Sequence, residues 1–303
     1  MTPPDSLTLA LWATNLSTPL NGLGAWAAHT EAKLAEAAQA GAELLLMPEY
    51  ACESWLSFKP EGLPSKEEVA WLAEQAPAAL DLLRPLPARH GVALLAGTMP
   101  WAEADGFRNR AWLLLPDGRS IAQDKLCLTP GEQEPDFWCL TPGDQLCLIE
   151  WRGLKVVVLT CLDIEMPALS VVLAPLAPDL ILVPSMTHRL SGHSRVFGCA
   201  KARAVELVCA VAAAGVIGRS PGTTLNPANV GACALYLPCE PSLGMTGILD
   251  SIPSLGEHEG GGPLLIARDI PIAELRLLRS AGAEVWPGAW RADHITIREE
   301  ATP

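Results

Sequence analysis

The stretch Val156-Val-Val-Leu-Thr-Cys161-Leu-Asp163-Ile-Glu165 carries most of the information about the fold. Its apolar, β-branched first half is typical of a buried strand in a parallel sheet. Pro167 follows shortly after, which favours the first turn of a helix there. Cys161 is therefore predicted at a strand-to-helix corner, facing the crevice at the carboxyl end of a sheet. A nearby helix N-terminus would favour the thiolate of a nucleophile, although a small thiol can equally fill space at a strand end.

Strands and helices alternate along the rest of the chain. The predicted strands cover residues 7–13, 44–47, 92–97, 111–115, 120–124, 146–150, 155–159, 180–183, 207–214, 231–237 and 264–270. The predicted helices cover residues 30–41, 65–89 with an interruption at Pro77, 166–177, 194–206 and 271–281. This order predicts a mixed sheet covered by helices. We expect one domain over residues 1–283 and a C-terminal tail over residues 284–303, with Trp286 and Trp290, that packs on the body or on a neighbouring subunit.

The composition excludes several classes of function. The chain has 303 residues and a formal net charge of −13, which argues against binding nucleic acid or anionic membranes. No apolar run reaches the ~18 residues that span a bilayer. The start lacks the basic segment of a signal peptide, so a cytoplasmic location is expected. The nine cysteines show no C-x-x-C spacing, and we expect reduced thiols and no zinc site.

Two charged residues follow apolar strands in the same way as Cys161. Glu49 comes after residues 44–48, and Lys125 comes after the predicted strand 120–124. If these strands share a sheet edge, the three side chains converge there. A carboxylate can accept the thiol proton and return it to a departing amine, and a lysine can lower the thiol pKa and stabilise an oxyanion. The ordinary alternative is that both charges are solvated at the rim of the sheet.

Three segments in this order resemble the signature motifs of the nitrilase superfamily, the carbon–nitrogen hydrolases. They are Leu45-Leu-Met-Pro-Glu49, Asp124-Lys125-Leu-Cys-Leu-Thr-Pro-Gly-Glu132 and Leu159-Thr-Cys161-Leu-Asp163. Segments 109–118, 142–144, 179–185 and 200–206 are similar as well, so the resemblance runs from about Leu7 to Ala281. It implies an α/β fold, a four-layer α-β-β-α sandwich with mixed sheets. It also implies a homodimer or higher homo-oligomer without a metal or an organic cofactor.

The resemblance implies a role for each motif residue. Cys161 is the nucleophile, Glu49 the general base and acid, and Lys125 the stabiliser of the oxyanion. Glu132 matches the second glutamate of the family, which positions the lysine and the substrate. Its spacing from Lys125 is one residue shorter than in several branches of the family, so Glu134 stays an alternative.

Further residues are expected to contact the substrate. They are Leu162, whose backbone N–H would complete the oxyanion hole, together with Met186, Thr187, Arg189 and Trp138. Either Arg189 or Arg195 can bind a substrate carboxylate through a bidentate pair, although an arginine at a helix end is commonly a surface charge. Trp55 can wall the pocket or pack in the core.

These assignments predict hydrolysis of a small carboxamide or carbamoyl compound to acid and ammonia, through a thioester on a cysteine. The nitrile-cleaving branch typically has Cys-Trp-Glu where this chain has Cys161-Leu162-Asp163, which favours the amidase-like branches. Nitrile hydrolysis by the same three catalytic residues and a catalytically silent scaffold stay as alternatives. His188 and His193 also leave open a cysteine peptidase.

Overall fold

The computed structural model describes residues 3–222, 228–285 and 294–298. Within these ranges the chain forms two six-stranded sheets. The strands are β1 (Leu7–Trp12), β2 (Leu44–Leu46), β3 (Ala93–Glu103), β4 (Gly106–Leu114), β5 (Ser120–Asp124), β6 (Ile149–Trp151), β7 (Leu154–Val158), β8 (Leu180–Ser185), β9 (Ala210–Gly215), β10 (Gly231–Tyr236), β11 (Ile248–Leu255) and β12 (Leu264–Ile270).

Helices connect these strands. They are α1 (Leu23–Gln39), α2 (Glu68–Leu83), α3 (Leu86–His90), α4 (Pro130–Gln133), α5 (Leu162–Glu165), α6 (Pro167–Leu173), α7 (Leu190–Leu207) and α8 (Ile272–Leu277). Short 3₁₀ turns cover Ala51–Phe58, Ser65–Glu67, Ala174–Leu176 and Pro241–Leu243, and a π turn covers Leu278–Gly282. No helix in the described ranges combines the length and the apolar character needed to cross a membrane.

Both sheets follow the same plan, with parallel strands at the centre and antiparallel strands outside. Their orders are β12-β1-β2-β3-β4-β5 and β11-β10-β9-β8-β7-β6. The parallel strands are β1, β2 and β3 in the first sheet and β7, β8 and β9 in the second. β4 is antiparallel to both β3 and β5, so β5 runs in the direction of β2. Glu49 follows β2 and Lys125 follows β5, so both lie at the same end of the strands of the first sheet. Cys161 follows β7 of the second sheet.

The two sheets pack face to face, and helices cover their outer faces. Leu44 and Leu46 of β2 lie in one buried cluster with Val156 and Val158 of β7, following the two-residue period of a strand. The other face of the first sheet packs on α1 and α2, and that of the second packs on α7. The predicted four-layer α-β-β-α sandwich is therefore confirmed.

Several elements differ from the sequence predictions, among them α1, α2 and β11. α1 begins at Leu23, earlier than predicted. Pro77 lies inside α2 and does not interrupt it, because burial of the face that carries Leu72 and Leu80 outweighs the lost backbone hydrogen bond. β11 was not predicted, since most of its side chains are exposed and Pro253 argues against an interior strand; proline is tolerated on the edge strand that β11 is.

The predicted division between a domain and a C-terminal tail stays a prediction. Trp286 and Trp290 of that tail lie outside the described residues.

Gly97 allows β3 to pass close to the segment that leads into the site. Its φ is +67°, in the left-handed region, and the register with β4 shifts between Leu95 and Thr98. A Cβ at Gly97 would lie 2.2 Å from the carbonyl oxygen of Pro48. The Thr98 hydroxyl then accepts a hydrogen bond from the Tyr50 N–H at 3.0 Å. This contact of β3 with residues 48–50 therefore requires glycine.

Gly97→Ala should lower the free energy of unfolding by about 2–4 kcal/mol, because it adds both backbone strain and a clash with Pro48. Gly118→Ala is a matched control, since Gly118 has φ +89° but a Cβ there would meet no atom within 4 Å. The control should lose only the strain contribution, about 1 kcal/mol. Urea denaturation measures both, and equal losses would show that the contact with Pro48 is unimportant.

Candidate active site

A lysine held between two glutamates forms the centre of the site. Lys125 Nζ lies 2.8 Å from Glu49 Oε1 and 2.7 Å from Glu132 Oε2, and the three side chains are at most 2% exposed. Burial removes water from these charges, so they must be satisfied by one another and by protein hydrogen bonds. The end of β2, the end of β5 and the helix α4 each supply one of them.

Glu132 reaches Lys125 because of a capping box at the start of α4. The Thr129 N–H donates to Glu132 Oε2 at 2.8 Å, and the Thr129 hydroxyl accepts from the Glu132 N–H at 3.3 Å. Glu134 lies beyond the end of α4 and is exposed. Of the two candidates for the second glutamate, the structure thus brings only Glu132 to the lysine.

Asn109 and Tyr50 complete this network, and sequence reasoning gave neither a role. Asn109 Nδ2 donates to Glu49 Oε1 at 2.9 Å and to Glu132 Oε1 at 3.1 Å, while the Tyr50 hydroxyl donates to Glu132 Oε1 at 2.8 Å. The available signals were an asparagine just before the apolar stretch 111–115 and a tyrosine directly after Glu49. Neither signal reveals which way the side chain faces.

Cys161 occupies the predicted corner between β7 and α5. Its backbone has φ 48° and ψ −103°, a strained conformation for a residue with a side chain. Sγ lies 3.5 Å from the Met186 carbonyl oxygen and 3.8 Å from Ser185 Oγ. The Met186 N–H donates to Glu49 Oε2 at 2.8 Å, so one residue contacts both the thiol and the base.

The surroundings of Cys161 favour the thiol over the thiolate. Burial raises its pKa well above the ordinary value, the Glu49 carboxylate raises it further, and Lys125 opposes both. This direction is opposite to the expected effect of a helix N-terminus on the thiol, since α5 spans only Leu162–Glu165 and is itself acidic. The proton must leave during attack, which requires a base in contact with the thiol.

Glu49 has the properties of that base. Burial raises its pKa, although Lys125 acts against this, and both Glu49 Oε2 and Cys161 Sγ contact the backbone of Met186. Burial also pushes up the pKa of Glu132, but Lys125 outweighs it and the pKa is lowered. The two carboxylates overcome the burial of Lys125 and raise its pKa well above the ordinary value. The lysine is thus a fixed cation, and Glu49 is the carboxyl group that can exchange a proton.

Asp163 ties the segment after Lys125 to the cysteine corner. Its carboxylate accepts hydrogen bonds from the N–H groups of Leu126 at 3.1 Å, Cys127 at 2.7 Å and Thr160 at 3.0 Å. Burial nevertheless raises the pKa of Asp163 to about 6, against the effects of Lys125 and these hydrogen bonds. The side chain therefore holds two strands' ends together from a position without access to water.

A cavity of ≈ 460 Å³ opens onto Cys161. Four of the predicted substrate contacts line it, namely Leu162, Met186, Thr187 and Arg189. Trp138 does not line the cavity but is buried behind Tyr50, with the two rings 4.6 Å apart at an edge-to-face angle of 88°. The prediction that Trp138 contacts the substrate is therefore wrong. Its ring packs against Tyr50 in the interior.

The N–H of Leu162 is available for an oxyanion. Leu162 is the first residue of α5, and N–H groups in the first turn of a helix lack partners within the helix. The Leu162 N–H makes no hydrogen bond to any described residue. The neighbouring Cys161 N–H is instead bonded to the Pro184 carbonyl at 2.9 Å. One backbone donor and the Lys125 ammonium thus border the cavity next to the thiol.

The remaining candidate residues are His188, His193 and Trp55. His188 lines the cavity, but in the part of the chain described no hydrogen bond joins it or His193 to Cys161, and His193 packs on Phe197. Trp55 packs on Trp26 in the core. Among the described residues, no group of three or more His, Cys, Asp or Glu side chains could hold a metal ion.

Comparisons with known sequences agree with this geometry. A family model described as carbon-nitrogen hydrolase matches residues 19–242. A probable hydrolase, YhcX, of Bacillus subtilis (strain 168) is 26% identical over 246 residues, which is 81% of this chain and 46% of that protein. An (R)-stereoselective amidase of Pseudomonas sp is 31% identical over 174 residues, 56% of this chain and 54% of that protein. The chain thus spans about half the length of these curated relatives.

Solved structures share the fold. The amidase of Nesterenkonia sp. AN1 in complex with acrylamide has a TM-score of 0.67 at 22% identity, covering 92% of this chain and 97% of that one. The same amidase in complex with butyramide has a TM-score of 0.65 at 23% identity, covering 92% and 96%. At such identity the likeness concerns the fold alone.

Asp163→Asn should flatten the pH dependence of stability. A carboxyl group whose pKa is raised from 3.8 to about 6 on folding adds stability below pH 3.8, and this is lost as the pH rises through about 6. Between these values the wild type should lose up to about 1.4 kcal/mol per pH unit from this group, and the variant should not.

Urea denaturation across this pH range measures the effect. Asp136→Asn, at an exposed aspartate, controls for the loss of one carboxylate and should keep the wild-type slope. Parallel curves for wild type and Asp163→Asn would contradict the raised pKa.

Proposed function

The chain belongs to the carbon–nitrogen hydrolase family, and we propose that it hydrolyses a small, non-peptide carboxamide or carbamoyl compound to acid and ammonia. The observation that carries this proposal is the buried Lys125, bonded to Glu49 and Glu132, at a cavity that also contains Cys161. A nucleophile, a base and a fixed cation are the groups that acyl transfer to a cysteine requires.

The first half of the proposed reaction forms a thioester. Cys161 Sγ attacks the amide carbon while its proton passes to Glu49, and the charge that develops on the carbonyl oxygen is stabilised by Lys125 and the Leu162 N–H. The raised pKa of Glu49 lets it hold this proton and then deliver it to the leaving nitrogen. The C–N bond breaks, ammonia departs, and the acyl group remains on sulfur.

The second half releases the acid. Water attacks the thioester carbon and gives a proton to Glu49, the same oxyanion donors act again, and the proton returns to the departing Cys161 sulfur. Glu132 and Asn109 hold Lys125 and Glu49 through both halves by the hydrogen bonds described above.

Related structures support a small amide as the first substrate to try. Mutants of the Nesterenkonia amidase have been solved in complex with acrylamide and with butyramide, and another mutant carries the acetamide moiety of fluoroacetamide covalently at the active-site cysteine. Asp163, in place of the glutamate of the nitrile-cleaving motif, also favours amides. Nitrile hydrolysis by the same three residues and a silent scaffold are the alternatives.

Purified protein should release ammonia from at least one compound in a panel of short aliphatic amides, carbamoyl compounds and nitriles. Cys161→Ala should lower kcat/KM by at least about 10³-fold, because it removes the sulfur that forms the thioester with the acyl group. Cys209→Ala, at another buried thiol, is the matched control and should keep the activity.

The outcomes separate the alternatives. Mass spectrometry of the wild type during turnover should find the acyl group on Cys161. Ammonia from nitriles alone would favour the nitrile alternative. If no compound yields ammonia and Cys161→Ala is indistinguishable from wild type, the protein is a catalytically silent scaffold.

In Glu132→Gln, the rise of kcat/KM on the acid side of its pH profile (the acid limb) should shift to lower pH. Activity rises as Glu49 ionises, because only the carboxylate can accept the thiol proton. Burial is the main cause of the raised pKa of Glu49, and the charge of Glu132 adds to it, so removing that charge lowers the pKa. Glu134→Gln, two residues away and exposed, should leave the limb in place. A limb that stays in place in Glu132→Gln would exclude Glu49 as the titrating base.

The oligomeric state expected from the family resemblance and the location expected from the sequence stay predictions. We expect a homodimer or higher homo-oligomer in the cytoplasm that acts on a small molecule, needs no cofactor, and binds neither nucleic acid nor membranes.

A further inference from the structure

A second cavity, of ≈ 390 Å³, shares no described lining residue with the catalytic cavity. Its charged lining residues are Lys155 on β7, Asp179 just before β8, Arg276 on α8 and Arg279 in the π turn. Three cations thus surround one carboxylate, which leaves an excess of two positive charges. The protein as a whole carries a formal net charge of −13, so this local excess is opposite in sign to the overall charge.

This cavity and the active site lie at opposite ends of the same two strands. β7 and β8 are parallel, and Lys155 and Asp179 lie where these strands start. Cys161 follows the end of β7, and Met186 follows the end of β8. The length of β8 alone is about 20 Å, since each residue of a strand adds about 3.3 Å. A small ligand in this cavity is therefore too far away to contact the reacting atoms.

The carboxylate of Asp179 has no capacity left for a further cation. It accepts hydrogen bonds from Arg276 Nε at 2.9 Å and Nη2 at 2.6 Å, and from Arg279 Nη2 at 2.6 Å. The backbone N–H of Lys155 donates to it as well, at 2.9 Å. Two guanidinium groups therefore share one negative charge, and the Lys155 ammonium has no carboxylate partner in the described part of the chain.

Donors remain on all three cations. Arg276 Nη1 and Arg279 Nε make no hydrogen bond to any residue that the structure describes. Lys155 Nζ donates to the Leu176 carbonyl oxygen at 2.9 Å, which uses one of its three N–H groups. An oxyanion in the cavity can accept hydrogen bonds from these donors and neutralise the excess charge.

The charges at this cavity are poorly screened. The Asp179 side chain is 3% exposed and the Arg279 side chain 11% exposed, so both are largely removed from water. Like charges repel more strongly in such surroundings than at an open surface, because water and salt screen them less. Binding of a doubly charged anion would relieve this repulsion.

We propose that this cavity binds a small oxyanion with two negative charges, either free phosphate or the phosphate group of a small ester. Lys155 and the remaining donors of Arg276 and Arg279 hold its oxygens, and its two charges match the positive excess. Binding stabilises the folded protein, because β7, β8 and α8 form the cavity only when they are assembled.

Isothermal titration calorimetry with inorganic phosphate, above its second pKa, tests the proposal. Wild type should bind one phosphate per chain. The midpoint of urea unfolding should rise with phosphate concentration and should not rise in sodium chloride of the same ionic strength. Glycerol 3-phosphate distinguishes the two sources of the anion: tighter binding than that of phosphate indicates an ester, and equal or weaker binding indicates the free anion.

Variants assign the binding to this cavity. Lys155→Gln should weaken phosphate binding by at least about tenfold, because it removes a charged donor, and Lys155→Arg should keep most of the affinity. Lys66→Gln, at an exposed lysine in another part of the chain, is the matched control and should bind phosphate as wild type does. Ser280→Glu adds a carboxylate at the cavity wall. It should abolish the response to phosphate and raise the urea midpoint in phosphate-free buffer.

Two results would overturn the proposal. The first is that phosphate gives no heat of binding and no more stabilisation than chloride. The second is that Lys155→Gln and Ser280→Glu both bind phosphate as wild type does. Neither result bears on the amidase proposal, which rests on the catalytic cavity, and ammonia release by Lys155→Gln should equal that of wild type.

Discussion

The site depends on one buried cation. Lys125 lies between Glu49 and Glu132 with almost no access to water, and a single unpaired charge in that environment would be strongly unfavourable. Two carboxylates around one ammonium leave an excess of negative charge, which adds to burial in raising the affinity of Glu49 and the neighbouring thiol for protons. The same interaction that stabilises the lysine thus helps to create the group that can move a proton.

Much of the site could be predicted because its reactive residues directly follow apolar strands in the sequence. Glu49, Lys125 and Cys161 each follow an apolar strand, and their convergence was inferred on the condition that these strands share one sheet. That condition is not met, because Glu49 and Lys125 follow strands of the first sheet and Cys161 follows a strand of the second. The choice between Glu132 and Glu134 could not be predicted, because spacing alone does not show where a short helix begins. The capping box of α4 decides it in three dimensions.

Two failures of prediction, at Cys161 and Trp138, have one cause, which is that sequence patterns describe neighbours along the chain and not neighbours in space. The raised thiol pKa of Cys161 depends on burial beneath residues from distant segments, such as Met186. Trp138 follows the lysine segment closely but faces Tyr50 and not the cavity. β11 was missed because an exposed edge strand has no apolar alternation to detect.

The active site joins two sheets, since β2 and β5 of the first supply the base and the cation while β7 of the second supplies the thiol. The first sheet is itself incomplete until β12, near the far end of the chain, pairs with β1. Residues up to Ile270 must therefore be synthesised before the first sheet is complete. Cys161 has its contact with Met186, and the burial that raises its pKa, only in the folded protein, so an unfolded chain carries an ordinary thiol.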